Sequence, residues 1–151
     1  MKNIESNTKE LSCGVVILFE DEILIGHPTN NNSNRWNIPK GHKEDFETHI
    51  ECAIRECFEE SGICLWEDLM IDLGKYTYLP YKDLYLFGYI LEHKIDIKTL
   101  SCESYFTDTD GRQKPEMDDF KYIKISDIRK NCSKELSNIL TSAIHKIKKE
   151  G

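Results

Sequence analysis

The sequence predicts one α+β domain over residues 1–151. Two observations carry that prediction. Apolar, β-branched runs of strand length lie on both sides of a single acidic helix, and an apolar repeat of helical spacing closes the chain. A chain of 151 residues is long enough to bury a real core.

The elements follow in order. CGVVILF (13–19) and EILIG (22–26) read as a strand hairpin turning at Glu20-Asp21. PTNNNSN (28–34) is a polar loop, and RWNIP (35–39) is a short strand closed by proline. The helix comes next, over 48–61. IDLGKYTYL (71–79) and DLYLFGYIL (83–91) are two strands with Pro80 between them. Residues 100–119 read as a long loop and FKYIKI (120–125) as another strand. Ser126 and Ser133 are candidate helix N-caps. In 135–149 the residues Leu136, Ile139, Leu140, Ala143, Ile144 and Ile147 form a stripe that should pack on the body of the domain.

Bulk properties exclude several classes. No run of about 18 apolar residues exists, so no spanning helix and no membrane partner is expected. The polar start, MKNIESNTKELS, has no apolar signal core, which favours a cytoplasmic location. A net charge of −7 argues against DNA as a partner. The six cysteines form no C-x-x-C pair and read as reduced and mostly buried. His49 and Cys52 stand at zinc-compatible spacing, but no second ligand pair completes a site. DTDG (108–111) lacks the acidic flanks of a calcium loop, with Phe106 and Met117 where carboxylates would be needed, and reads as a turn.

The informative stretch is GHKEDFETHIECAIRECFEESGI, residues 41–63. It holds the carboxylates Glu44, Asp45, Glu47, Glu51, Glu56, Glu59 and Glu60 against the cations Lys43 and Arg55. On a helical wheel Ile50, Ala53, Ile54, Cys57 and Phe58 cover one arc, and Glu56, Glu59 and Glu60 the opposite one. Glutamates three and four residues apart repel. A solvated face would interleave more cations, so the patch predicts a hard divalent ion, Mg²⁺ or Mn²⁺. Such an ion also lets an acidic protein take a phosphorylated substrate.

These residues resemble the signature box of the Nudix hydrolases. Gly41, Glu47, Arg55, Glu56, Cys57, Glu59, Glu60, Gly62 and Ile63 stand at the box spacings, with Cys57 where an aliphatic residue is usual. RWNIPKG before the box and YLFGY after it resemble the family's flanking strands.

The resemblance implies a mixed sheet between helices, an α/β/α sandwich. It implies Glu56, Glu59 and Glu60 as metal ligands, joined by the backbone carbonyl of Lys40. Two or more ions would be present with substrate bound. Glu47 and Arg55 would brace the ligands. Gly41 would permit close backbone approach, and Gly62 would cap the helix in the left-handed conformation. The reaction implied is hydrolysis of a nucleoside diphosphate linked to another group. Glu59 or Glu60 is first choice as base, and Glu116 is the best acid outside the box, with Asp118 and Asp119 as competitors. Lys40, Lys43, Lys82, Arg112 and Lys114 are candidates to hold phosphates. Tyr76, Tyr78, Tyr81, Tyr85 and Phe106 are candidates to stack a base; strand alternation leaves the inward-facing set open.

The box does not select a substrate. WNIPKGH looks more like members acting on diadenosine oligophosphates or capped RNA 5′ ends than like the Pro-Gly-Gly form of many nucleoside triphosphate cleaners. Diadenosine oligophosphates, ADP-ribose and FAD are the expected small-molecule partners. A capped-RNA or nucleoside triphosphate pyrophosphohydrolase, a noncatalytic nucleotide-binding regulator and an isoprenoid diphosphate isomerase are alternatives. A homodimer stays open.

Overall fold

The computed structural model describes residues 9–150. The reading of residues 1–12 as lacking a signal core falls largely outside them. Eight strands and three helices are present among the described residues: β1 Glu10–Phe19, β2 Glu22–Pro28, β3 Lys40–His42, α1 His49–Ser61, β4 Ile71–Leu79, β5 Lys82–Ile90, β6 Tyr105–Thr107, β7 Gln113–Pro115, β8 Met117–Lys124, α2 Ile128–Asn131 and α3 Lys134–Glu150. No helix among them is long and apolar enough to cross a membrane.

β1 is the centre of a six-stranded mixed sheet of order β4-β5-β1-β2-β8. It runs parallel to β5, with Cys13 opposite Tyr85 and Leu18 opposite Ile90. Its other edge is shared. β2 pairs antiparallel with its far end, Leu18 opposite Ile23, while β3 pairs with its near end, Cys13 opposite Gly41. A central strand covered on both faces needs a continuous apolar run rather than alternation. Cys13, Val15, Val16 and Ile17 are accordingly inaccessible.

Each face of the sheet carries a helix. Val16, Leu18, Ile23, Ile25, Leu84 and Leu86 pack against Leu136, Leu140, Ala143, Ile144 and Ile147 of α3. All six residues of the expected α3 stripe are buried. Burying each large one removes about 1.5–3 kcal/mol of apolar exposure. On the opposite face Val15, Ile17, Leu24 and Tyr89 pack on Cys57, Ile63 and Leu65, and Cys13 and Phe87 on Cys52 and Ala53. The α/β/α arrangement is thus present.

Four expectations are corrected. Residues 100–119 are not one loop: β6 and β7 form a small antiparallel pair, Phe106 opposite Lys114, and β8 already begins at Met117. The DTDG turn closes that pair through the Gly111 amide donating to the Asp108 carbonyl at 2.9 Å. Residues 35–39 form no strand: they meet the sheet through an isolated bridge of Asn37 with Gly26 and through the Pro39 carbonyl, which accepts from the Val15 amide at 3.1 Å, although Trp36 and Ile38 are buried. Ser133 does cap α3, accepting from the Leu136 amide at 3.2 Å, but Ser126 lies in a 3-10 turn and caps nothing. Finally, α1 is rotated relative to the wheel reading. Its buried residues are Cys52, Ala53, Glu56, Cys57, Glu60 and Ser61, while Phe58 is exposed. Two of the glutamates therefore face inward at the rim of the sheet.

Candidate active site

The helix that carries the glutamates is fixed at both ends. Thr48 Oγ1 accepts from the Glu51 amide at 3.2 Å, and Glu51 Oε1 accepts from the Thr48 amide at 2.8 Å, a reciprocal capping box. At the other end Gly62 has φ 81°, and its amide donates to the Phe58 carbonyl. A side chain there would be strained, so glycine is the residue that stops the helix at this point.

β3 forms the wall opposite the helix. A Cβ on Gly41 would lie 2.0 Å from the carboxyl carbon of Glu56. Glycine is what allows that carboxylate to lie on the strand backbone. The Lys40 amide donates to Glu60 Oε1 at 3.1 Å. The cleft above has a volume of about 440 Å³ and is lined by Glu10, Ser12, Lys40, Gly41, His42, Glu56, Glu59, Glu60, Lys82, Ser104 and Glu116.

Arg55 ties the carboxylates together. Its Nε donates to Glu47 Oε2 at 3.0 Å and its Nη2 to Glu47 Oε1 at 2.7 Å. Nη1 reaches Glu56 Oε2 at 3.0 Å and both oxygens of Glu59 at 3.3 Å. Nη2 also donates to the His42 carbonyl at 3.1 Å. The guanidinium holds Glu47 well below the ordinary carboxylate range, at about 2, and the partnership raises Arg55 in turn.

Glu60 lies outside that network. It is only 7% exposed, and burial pushes its carboxyl up to about 8. Glu56, 9% exposed, is also raised by burial, against the pull of Arg55. A buried carboxylate without an adjacent ion-pair partner, beside a second one, is costly in its charged form. This donor set fits a hard divalent cation, which would supply the missing charge through oxygen contacts. Among the described residues no three such side chains already point at a common centre. Instead, Arg55 is bonded to both Glu56 and Glu59.

The remaining sequence candidates separate by position. Lys40 and Lys82 line the cleft, and burial lowers the Lys40 ammonium from its usual value. Lys40 Nζ lies 5.5 Å from the centre of the Tyr78 ring. Tyr76 and Tyr78 pack against the core on the α3 side. Tyr85 does not reach the cleft: it lies on the α1 side, stacked 4.2 Å from His49, with its hydroxyl donating to Asp72. Lys43 Nζ donates to the Glu44 carbonyl, Arg112 is exposed at the β6–β7 turn, and Lys114 pairs with Asp108 and Asp110; none lines the cleft. Of the late acids, Glu116 is on the cleft wall. Asp118 is turned to His27, 2.7 Å away, and Asp119 accepts from the Phe120 amide. Sequence reasoning missed Glu10, Ser12, His42 and Ser104. Ser12 and Glu10 share a face of β1 with Gly14, a pattern of period two running past the apolar segment that could have shown them.

The α/β/α fold and its glutamate-bearing helix place the chain among hydrolases acting on pyrophosphate bonds. The family model of the NUDIX domain matches residues 8–141, and the chain belongs to that family. An uncharacterized 17.7 kDa protein from the e-segB intergenic region of Enterobacteria phage T4 is 39% identical over 129 residues, 79% of this chain and 85% of the phage protein. Among solved structures, a bifunctional NMN adenylyltransferase/ADP ribose pyrophosphatase from Francisella tularensis, complexed with AMP and a manganese ion, matches with a TM-score of 0.70 at 16% identity. That match covers 91% of this chain but 42% of the longer Francisella chain. A C. elegans Ap4A hydrolase matches with a TM-score of 0.60 at 19% identity, over 93% of this chain and 98% of the nematode one. At these identities the structural likeness is one of fold.

Proposed function

We propose that this chain hydrolyses the pyrophosphate linkage of a nucleoside diphosphate joined to another moiety, with Mg²⁺ or Mn²⁺ as cofactor. Diadenosine oligophosphates, ADP-ribose and FAD are the candidate substrates. The observation that carries the reading is the cleft itself. Buried Glu56 and Glu60 lie at one side, and the ammonium-bearing side chains of Lys40 and Lys82 line the same space.

Glu56, Glu59 and Glu60 would hold the cation, with the Lys40 carbonyl and Glu116 as further donors. Once bound, a divalent ion neutralises phosphoryl charge and makes water a better nucleophile. The chain's own residues do the rest. Arg55 and Glu47 keep the glutamates in place. Lys40 and Lys82 offset the charge of the phosphate chain and orient it along the cleft. Glu59, with its side chain 39% exposed against 12% for Glu56, is the most accessible of the three helix glutamates and would accept a proton from water entering from solvent. The Mn-bound ADP ribose pyrophosphatase and the Ap4A hydrolase, which share the fold, support the two leading substrate classes.

A substrate panel tests this reading. Diadenosine oligophosphates, ADP-ribose, FAD, NADH, nucleoside triphosphates and capped RNA would each be incubated with Mg²⁺ and with Mn²⁺, and products followed by phosphorus NMR. AMP-containing products from one of the first three groups, abolished by EDTA, are expected. Turnover of none, or turnover unaffected by thorough chelation, would overturn the proposal.

A further inference from the structure

We propose that Ser104 is a positioning residue that aims the carboxylate of Glu116 into the cleft. The inference rests on the reading of that cleft as the hydrolytic site.

Glu116 is an exposed residue just before β8. An exposed glutamate ordinarily samples several rotamers. This one is held. Ser104 Oγ donates to Glu116 Oε1 at 2.5 Å. The Glu116 amide donates to the Ser104 carbonyl at 2.8 Å, and the Glu116 carbonyl accepts from the Thr29 amide at 3.0 Å. Thr29 Oγ1 also donates to the Pro115 carbonyl at 2.5 Å. The backbone around Glu116 is thus pinned from the β6 side and from the end of β2. Among the described residues the Ser104 hydroxyl is the one group that hydrogen-bonds to the Glu116 carboxylate. Ser104 and Glu116 both line the catalytic cleft. Their neighbours Tyr105, Pro115 and Met117 line a different groove. One hydroxyl and one carboxylate from this pair of segments thus reach the cleft, while Tyr105, Pro115 and Met117 turn away from it.

The chemistry of the contact is specific. A hydroxyl donating to Oε1 fixes the orientation of the carboxylate plane. Oε2 keeps its lone pairs for a cation or a water. Removing the hydroxyl leaves both backbone hydrogen bonds intact, so Ser104→Ala separates positioning from folding of the β6–β7 segment.

The test uses the full-length protein and Mn²⁺ alone as probe, titrated by electron paramagnetic resonance, with turnover of the best panel substrate alongside. Ser104→Ala is expected to weaken Mn²⁺ binding and lower kcat by about 10-fold or more, as loss of an orienting partner does. Its melting temperature in EDTA should match wild type. Ser104→Thr, which keeps the hydroxyl, should restore both quantities to within about threefold. Glu116→Gln should show a loss at least as large. The double variant should be no worse than Glu116→Gln, because the two groups act as one unit. Ser101→Ala, which removes a hydroxyl bonded instead to Glu103 at 2.7 Å, should behave as wild type. If Glu116→Gln is impaired while Ser104→Ala is not, or if the two losses add, the role of Ser104 is overturned and the assignment of the cleft stands. If Glu116→Gln binds Mn²⁺ and turns over as wild type does, Glu116 itself has no part in the site, and the proposal falls with it.

Discussion

Arg55 and Glu47 meet as a two-pronged ion pair, Nε to Oε2 at 3.0 Å and Nη2 to Oε1 at 2.7 Å, beneath the carboxylates of Glu56 and Glu59. The fork matters because it fixes the guanidinium plane, and with it the direction of Nη1 toward the glutamates. Lysine cannot reproduce it. Arg55→Lys is expected to lower kcat/KM by about 10–100-fold, the range for loss of a group that orients ligands. Glu47→Gln should cost about 1–3 kcal/mol, since it leaves a partly buried guanidinium with weaker partners. Urea titrations and steady-state kinetics measure the two effects. An Arg55→Lys enzyme with full activity would remove Arg55 from the catalytic reading.

Gly41 offers a cleaner separation of fold from function. A methyl there would lie 2.0 Å from the Glu56 carboxyl carbon, a movable side-chain terminus and not backbone. Glu56 can swing aside, so Gly41→Ala should lose little stability, under about 1 kcal/mol. Its activity should drop by about 100-fold or more, because one carboxylate has left the site. Thermal melts in EDTA beside kinetics in Mg²⁺ show the split. A large loss of apo stability with activity retained would mean that Gly41 serves only the fold.

The long strands β1, β2, β4 and β5, the acidic helix and its glycine cap were legible because each rests on local chemistry; the three-residue strands β3, β6 and β7 were not. β-branched runs mark β1 and β2, helical spacing marks 48–61, and Gly62 sits where a left-handed residue is needed. The contacts of Arg55 with Glu47, eight positions away, depend on how the box loop folds back. The burial of Glu56 and Glu60 was hidden for a physical reason. A helical wheel assumes that glutamates face solvent, whereas the inward face of α1 runs onto the β3 backbone where Gly41 leaves room. Tyr85 was misplaced by the same kind of gap. Alternation shows that tyrosines on β5 and β4 take sides, but only the packing of α1 on Cys13 and Phe87 shows which side is closed.

Glu60 predicts an unusual pH response for the metal-free protein. Its folded-state pKa is raised to about 8 from an ordinary 4.5. Between those values the folded chain holds a proton that the unfolded chain has released. Unfolding free energy therefore falls as pH rises through that window. The Glu60 contribution is fully present below about pH 4.5 and gone above about pH 8. Glu47, lowered to about 2, acts in the opposite sense, and its contribution is lost only as pH falls from about 4.5 toward 2. Melting temperatures in EDTA should decline from about pH 5 to about pH 8. Glu60→Gln should flatten that decline. An unchanged slope in the variant would assign the pH dependence to another group.

The last prediction concerns the charge that Glu60 lacks. If a divalent cation supplies it, the ion binds the folded chain and not the unfolded one, so stability rises with free Mg²⁺ by RT ln(1 + [L]/Kd). The gain is about 1.4 kcal/mol at roughly ten times Kd. Glu56 and Arg55 are already bonded at 3.0 Å, so the ion must compete with the guanidinium there, whereas at Glu60 it meets only a backbone amide at 3.1 Å. Glu60→Gln should therefore flatten the Mg²⁺ response more than Glu56→Gln. Glu92→Gln, an exposed carboxylate outside the cleft, should leave it unchanged. Melts against Mg²⁺ concentration at constant ionic strength provide the measurement. Equal shifts in wild type and in both cleft variants would place the ion elsewhere, and Arg55 alone would then account for the gathering of glutamates on this helix.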